Sequence, residues 1–283
     1  MKKALGIFRE VTNSPNRETD DALILQAVLE QLKSLGFETR AATPEESDSL
    51  DFPKEDFDVV IPMCESYPRI KHLLDISTRS RALWMNSPRA VLNCYRTRMI
   101  PALSGLADAR FTASEVRRVE SDAGAPPDFP APDGYWLKRG DVHNTCDRDV
   151  VRAKNWGAAA DILREFARRE ITHYGVQPHI EGDLVKFYGA GPGHWFTWFY
   201  HDPVRAKRHA FEVDELAGSA AAGAGTLDLR IFGGDAIVAS DGAVSLIDLN
   251  SWPSFALVRK EAAVQIAWQI QKALKKTAVR GTS

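Results

Sequence analysis

Residues 245–255 read SLIDLNSWPSF, an apolar run interrupted by Asp248 and Asn250, two positions apart. Side chains two apart on a strand share a face, so a carboxylate and a carboxamide stand side by side where the strand ends. The stretch GGDAIVASDGAV at 233–244 supplies their partner. Asp241-Gly242 is a strong two-residue hairpin signal between apolar strands. A turn centred on that pair sets Asp235 directly opposite Asp248 if its loop has an even length; an odd-length loop breaks the pairing. Opposed like charges destabilise a sheet, and carboxylates in contact force one pKa upward unless something positive separates them. A divalent cation removes the difficulty. Hard Mg2+ takes carboxylate and amide oxygens, with phosphates commonly completing its shell. Asp235, Asp248 and Asn250 are therefore the expected metal ligands; taken singly, each would read as an ordinary turn or strand-end residue.

The rest of the chain sets bounds on this site. Its 283 residues, 44% hydrophobic and 26% charged, exceed one small domain and have the composition of an ordinary globular protein. A formal charge of −2 carries no polycationic footprint, so nucleic acid is not an expected partner. The opening MKKALGIFREV has an apolar core that ends at Phe8, too short for a secretory signal and suited to a first buried strand. No stretch approaches the roughly 18 apolar residues of a membrane span. Cys64, Cys94 and Cys146 are odd in number and lack CxxC spacing, which reads as reduced thiols in a cytoplasmic protein.

Along the chain, KALGIF is a strand and VTNSPNRETDD a polar loop; a helical pattern runs from Asp21 to Leu35 and stops at Gly36. FETRAAT is a short strand, PEESDSLDFPKED an acidic loop and FDVVIPMC a continuous apolar strand. Together they make a parallel α/β layer. Helices are expected over 68–83 and 89–103. The proline-rich SDAGAPPDFPAPDG at 121–134 reads as a linker or long hairpin. GYWLKRGD is a strand entering a turn, and NWGAAADILREFARREITHYG contains a strong helix. VQPHIEG, DLVKFYGAG and HWFTWFY are strand-like, the last expected to be buried on both faces. GSAAAGAG at 218–225 reads as a mobile loop, a lid or plain surface. A final helix spans Phe255 to Leu274 and leads into a basic tail.

An acidic residue on one strand, then D-x-N on the next and a proline just after, resembles the end of the ATP site in the ATP-grasp superfamily. The family's other motifs have counterparts in order over residues 90–255. Lys138 in YWLKRGD resembles the strand lysine that contacts nucleotide phosphates, a role suited to a compact ammonium. RGDVHNTC stands where the family has its phosphate-covering loop. It departs from the pattern in having one glycine and in placing Arg139 where proline is common, although turn N–H groups still cradle phosphate. VQPHIEGD resembles the adenine hinge: the resemblance assigns Gln177 to the adenine amino group, the backbone around His179 and Ile180 to the base edge, and Asp183 to the ribose hydroxyls. Lys186 in LVKFYG resembles a lysine aimed at phosphate or substrate. Arg98 stands where many members have a first phosphate-contacting lysine. Arg230, just before the hairpin, is placed to meet the γ-phosphate or an acyl-phosphate. Arg230 and Lys186 are the catalytic candidates.

The resemblance implies an α/β and α+β architecture. An N-terminal parallel α/β domain (1–88) precedes a central ATP-binding lobe (89–185) and a C-terminal lobe with the metal hairpin (186–283), and the two lobes clamp ATP. It also implies a ligase using ATP and Mg2+, with Mn2+ as a substitute, that activates a carboxylate as an acyl-phosphate for attack by an amine. Such chemistry rests on positioning and electrostatics, and the absence of GxSxG and HExxH motifs agrees with it. The substrate is a small molecule or peptide, and a homodimer is an allowed assembly. Candidate substrate contacts are Glu65, Ser66 and Arg69 after the VVIPMC strand, with His143 and Ser254; ligands of parallel sheets gather outside strand carboxyl ends. An alternative is a small-molecule kinase: HIEGDLVKFYGAG resembles the hinge of the superfamily's inositol polyphosphate kinases, and Arg205, Lys207, Arg208 and His209 would hold an anionic substrate. A second alternative is a nucleotide-binding protein without turnover. Ordinary dinucleotide binding is excluded, because FREVTNSP stands where GxGxxG is required.

Overall fold

The computed structural model describes residues 1–13, 18–120 and 123–280. Residues 14–17 of the polar loop, 121–122 of the proline-rich stretch and 281–283 of the tail lie outside this description. Among the described residues, twelve strands form three four-stranded sheets.

The first sheet contains β1 (Lys3–Ile7), β2 (Glu38–Ala42), β3 (Val59–Pro62) and β4 (Leu83–Trp84), parallel throughout in the order β2-β1-β3-β4. KALGI and VVIP are almost wholly apolar because helices cover both faces. One cover is the helix Glu18–Ser34, which brings Ile24, Leu25, Val28 and Leu32 to the core and carries the final helix, Arg259–Arg280, on its flank. The other cover includes Ile70, Leu73, Val91 and Leu92. The acidic loop holds a short helix, Pro44–Asp48, closed by a Thr43–Glu46 capping box. The helix expected over 68–83 is Tyr67–Ser77 and gives way to β4. The helix expected over 89–103 is two, Pro88–Asn93 and Arg96–Leu103, broken where Tyr95 turns extended and donates its hydroxyl to the Glu65 carbonyl at 2.5 Å.

The second sheet is antiparallel: β5 (Glu115–Arg118), β6 (Tyr135–Arg139), β7 (Val150–Ala153) and β8 (His173–Pro178), ordered β5-β8-β6-β7. The helix Trp156–Arg168 packs Ala159, Leu163 and Phe166 onto it. The third sheet, also antiparallel, is β9 (Asp183–Ala190), β10 (Trp195–Tyr200), β11 (Ile231–Val238) and β12 (Val244–Ser251), ordered β10-β9-β11-β12. HWFTWFY is not buried on both faces. Its residues Trp195–Tyr200 form the edge strand β10, each of them half-buried, and His194 before them is exposed. GSAAAGAG is not a loop either. It belongs to the helix Val213–Thr226, with Ser219, Ala220, Gly223 and Ala224 buried. Small side chains let that helix lie close to β12: a Cβ on Gly223 would fall 2.6 Å from Leu249 Cδ1. The final helix starts at Arg259 rather than Phe255, because Phe255 is fully buried in the preceding turn at φ +49°.

The β11–β12 hairpin sets Asp235 opposite Asp248, as expected, by an unexpected route. Its loop has an odd length, residues 239–243, closed by Ala239 N–H to the Ala243 carbonyl at 2.9 Å and Gly242 N–H to the Ala239 carbonyl at 3.0 Å. That loop pairs Val238 with Val244 and Ala236 with Leu246, one residue out of the expected register. A bulge at Ile247 then restores it.

Candidate active site

The bulge does more than correct the register: it frees the Ile247 carbonyl from the ladder. Lys138 Nζ donates to it at 3.0 Å and Gln177 Nε2 at 3.3 Å, so two residues of the second sheet converge on the third. Gln177 Nε2 also donates to Ser114 Oγ at 2.9 Å. On the hairpin's face, Asp235, Asp248 and Asn250 line one cavity of about 270 Å³. The β9 register places Lys186 beside Asp235, Nζ to Oδ1 2.6 Å. Arg96, at the start of its helix, reaches Asp248 Oδ2 at 2.7 Å through Nη2, while Nη1 donates to the Arg139 carbonyl at 2.7 Å and Asn144 Oδ1 at 2.8 Å.

The carboxyl ends of β1 and β3 close the other side. Arg9 pairs with Asp21 at 3.0 Å and Glu65 at 3.2 Å, and donates to the carbonyls of Met63 at 3.2 Å and Trp252 at 2.5 Å. His143 lines the cavity beside Tyr95, ring centroids 4.6 Å apart, with Nε2 shielded and without a hydrogen-bond partner among the described residues. Ser254, also buried, completes this wall.

Burial dominates the electrostatics. It lowers Lys138 to about 8, against the pull of Asp248. Burial, with Arg9 and Arg96 nearby, lowers His143 to about 4, so its imidazole is neutral. Burial raises Glu65 to about 7, only partly offset by Arg9 and reinforced by Asp21 and Glu10. At Asp248 burial acts upward too, but Arg96 and Lys138 outweigh it and hold the carboxyl below its usual range. The Cys64 and Cys94 thiols are pushed up by burial, which makes them poor nucleophiles.

Of the residues singled out in the sequence, the structure brings Asp235, Asp248, Asn250, Lys186, Glu65, His143 and Ser254 to this cavity. Lys138 and Gln177 meet the hairpin at the Ile247 carbonyl, and Lys138 lies close enough to Asp248, Arg96 and Asp235 to feel their charges. His179 and Ile180 lie on the link from β8 to β9, between the two antiparallel sheets; His179 N–H donates to the Gly134 carbonyl at 2.8 Å. The other candidates lie elsewhere. Arg98 lines a different cavity with Asp141 and His173, because the break at Tyr95 turns Arg96 inward instead. Arg230 lines a third cavity beyond the start of β11. Asp183 is buried and accepts the backbone N–H groups of Lys207 at 2.6 Å and His209 at 2.8 Å, so it anchors that loop. Ser66 borders a neighbouring cavity of about 540 Å³. Arg69 is tied to Glu10 at 3.3 Å, Asp48 at 2.6 Å, Glu45 at 3.5 Å and the Pro44 carbonyl. None of Arg205, Lys207, Arg208 and His209 lines the central cavity.

Sequence reasoning missed Arg9, Asp21, Arg96 and Asn144. Arg9 did leave a signal, a charge directly after an apolar parallel strand, where ligands of such sheets gather. Among the described residues no group of three His, Cys, Asp or Glu side chains is arranged to hold a metal. The donor set here is two carboxylates and an amide.

No family model and no curated protein matches the chain. Solved structures do match over its whole length. The D-alanine-D-alanine ligase from Coxiella burnetii is 10% identical, with a TM-score of 0.69 over 99% of this chain and 98% of that one. The D-cycloserine synthetase DcsG is 17% identical, with a TM-score of 0.66 over 96% and 99%. The D-alanine–D-alanine ligase from Bacillus anthracis complexed with ATP is 11% identical, with a TM-score of 0.66 over 98% and 100%. The fold is thus the ATP-grasp fold of these ligases. At such identities the likeness is one of architecture.

Proposed function

We propose that this protein is an ATP-dependent ligase that joins the carboxylate of an amino acid or small peptide to an amine. The observation that carries the reading is the convergence, on one cavity, of Asp235, Asp248 and Asn250 with Lys186 and Arg96, facing the mouth of the parallel sheet. The residues fit a magnesium–triphosphate pair: hard oxygen donors on the hairpin, and cations on three separate elements around them. Asp235, Asp248 and Asn250 would hold Mg2+, which when bound supplies positive charge at the phosphates. Lys138, Lys186 and Arg96 would neutralise the remaining phosphate charge as the γ-phosphoryl group passes to the substrate carboxylate. The amine then displaces phosphate from the acyl carbon. Gln177, His179 and Ile180 would receive the adenine between the antiparallel sheets.

Glu65 and the neutral His143 border the space left for the substrate. The three-part division at residues 88 and 185 follows the same reading, and three free cysteines suit a reducing, cytoplasmic setting. The test is ADP release across a panel of amino acids and dipeptides, followed by ¹⁸O transfer from labelled substrate carboxylate into phosphate. A ligase releases labelled phosphate and an amide. A stable phosphorylated product would replace this reading with kinase chemistry.

A further inference from the structure

Arg230 does not line the catalytic cavity. It lines a separate one of about 480 Å³ at the opposite end of β11, with Lys272 and Lys276 of the final helix and His194 of the β9–β10 turn. Asp228 is the one carboxylate among the lining residues. Among the described residues, none of Arg230, Lys272 and Lys276 forms an ion pair with a carboxylate, whereas Lys186 and Arg96 in the catalytic cavity both do. Among the other polar lining groups are a hydroxyl, an indole and the Gln269 amide, whose Nε2 is already engaged. Ser87 Oγ already accepts the Ala90 N–H, which leaves its own proton to give, while the Trp84 indole N–H is shielded and has no partner among the described residues.

The walls of this cavity are fixed by the protein itself. Fully buried Asn86 accepts the N–H groups of Arg230 at 2.8 Å and Ile231 at 2.9 Å through Oδ1. Gly191 N–H donates to the Arg230 carbonyl at 2.6 Å, and Gln269 Nε2 donates to the Ala190 carbonyl at 3.2 Å. A Cβ on Gly191, whose φ is +70°, would sit 2.2 Å from Gln269 Nε2, so the turn and the final helix meet as closely as glycine permits. Such a preformed recess, edged by cations without counter-ions, favours anions.

We propose that this second cavity binds a small polyanion, phosphorylated or polycarboxylic, at a site distinct from the catalytic one. Two or more negative charges would replace the missing counter-ions, and Trp84 and Met85 would carry the uncharged part of the ligand.

Sodium tripolyphosphate and citrate serve as probes for the two ligand chemistries, titrated without divalent metal and followed by calorimetry and tryptophan fluorescence. A Lys138→Met variant removes a cation that the proposed function assigns to the phosphates, and it is expected to lower anion binding in the catalytic cavity. In that background the expected result is that one probe still binds, and that adding Lys272→Glu and Lys276→Glu weakens it at least tenfold. Lys276→Glu alone should weaken it less, which preserves the test if the triple variant misfolds. The Lys272→Glu/Lys276→Glu protein should keep the wild-type thermal response to ATP and Mg2+. Unchanged probe affinity after charge reversal, or no binding of either probe to the Lys138→Met protein, overturns the proposal. The site does not depend on the ligase reading, because no turnover is measured.

Discussion

The two ends of β11 treat charge in opposite ways. At the Asp235 end every charge on the hairpin has an internal partner: Lys186 on Asp235, and Arg96 on Asp248. At the Arg230 end, Arg230, Lys272 and Lys276 form no ion pair among the described residues, although Lys272 Nζ lies 4.6 Å from the centroid of the Trp268 ring. The first arrangement can exchange partners. Under the proposed function, Lys186 and Arg96 would turn to a triphosphate while Asp235 and Asp248 would hold the metal, so charge would stay balanced as ligands arrive. The second has no ion pair to exchange, and on the proposal above an anion would complete it. One strand thus separates paired charges from cations that form no ion pair among the described residues, and substitutions at the two ends should behave differently.

The largest effect is expected at Asp248. Replacing it with alanine leaves Arg96 buried without its carboxylate, which costs about 3–5 kcal/mol when a buried pair is broken; urea unfolding checks this. Stabilisation by ATP and Mg2+ should disappear in the same variant. Replacing both partners, Arg96→Met with Asp248→Leu, should recover much of the stability and none of the nucleotide response. That combination separates the pair's structural part from its ligand-binding part.

Glu65 comes next. Its folded-state pKa, about 7, lies above its ordinary 4.5. The stability it contributes is therefore complete below about pH 4.5 and is lost as pH rises through 7. Glu65→Gln should unfold at a temperature that falls less than wild type between pH 5 and pH 8, a gap on the order of 2 kcal/mol. Parallel pH profiles would disprove the effect. A smaller cost, about 1–2 kcal/mol, is expected for Gly223→Val, whose side chain must displace Leu249. Leu249 lies between Asp248 and Asn250, so nucleotide affinity should fall with stability in this variant, as calorimetry would show.

The parts of the site that the sequence revealed are those set by local periodicity. Alternation along 245–251 placed Asp248 and Asn250 together, and Asp-Gly announced the hairpin. The register was right through two compensating features, an odd loop and a bulge at Ile247, and a bulge has no local signature in an apolar run. Arg98 displaced Arg96 in the reading because helical phase there depends on the break at Tyr95, which tertiary packing imposes. Arg230 is different. It is an odd number of residues from Asp235, so strand alternation already placed it on the opposite face. The small-residue helix was misread because flexibility was inferred from composition, while Leu249 packing against Gly223 fixes it.

The smallest effects give the sharpest test of the contrast between the two ends, because the same chemical change is made at each. Lys186→Met removes the partner of Asp235 in a pair whose side chains are 21% and 25% exposed, so solvent screens part of the loss. A cost of about 1 kcal/mol is expected. Lys276→Met removes a cation that pairs with nothing among the described residues, and stability should stay within about 0.5 kcal/mol of wild type. Salt should distinguish them further. Screening weakens the attraction lost at Lys186, so the cost of that variant shrinks at high ionic strength. At the other end, screening relieves repulsion among Arg230, Lys272 and Lys276, so any gain from Lys276→Met shrinks instead. Chemical unfolding of both variants in 0.05 M and 0.5 M NaCl reads these opposite signs. Equal costs with the same salt dependence would mean that the two ends of β11 do not differ in charge balance after all.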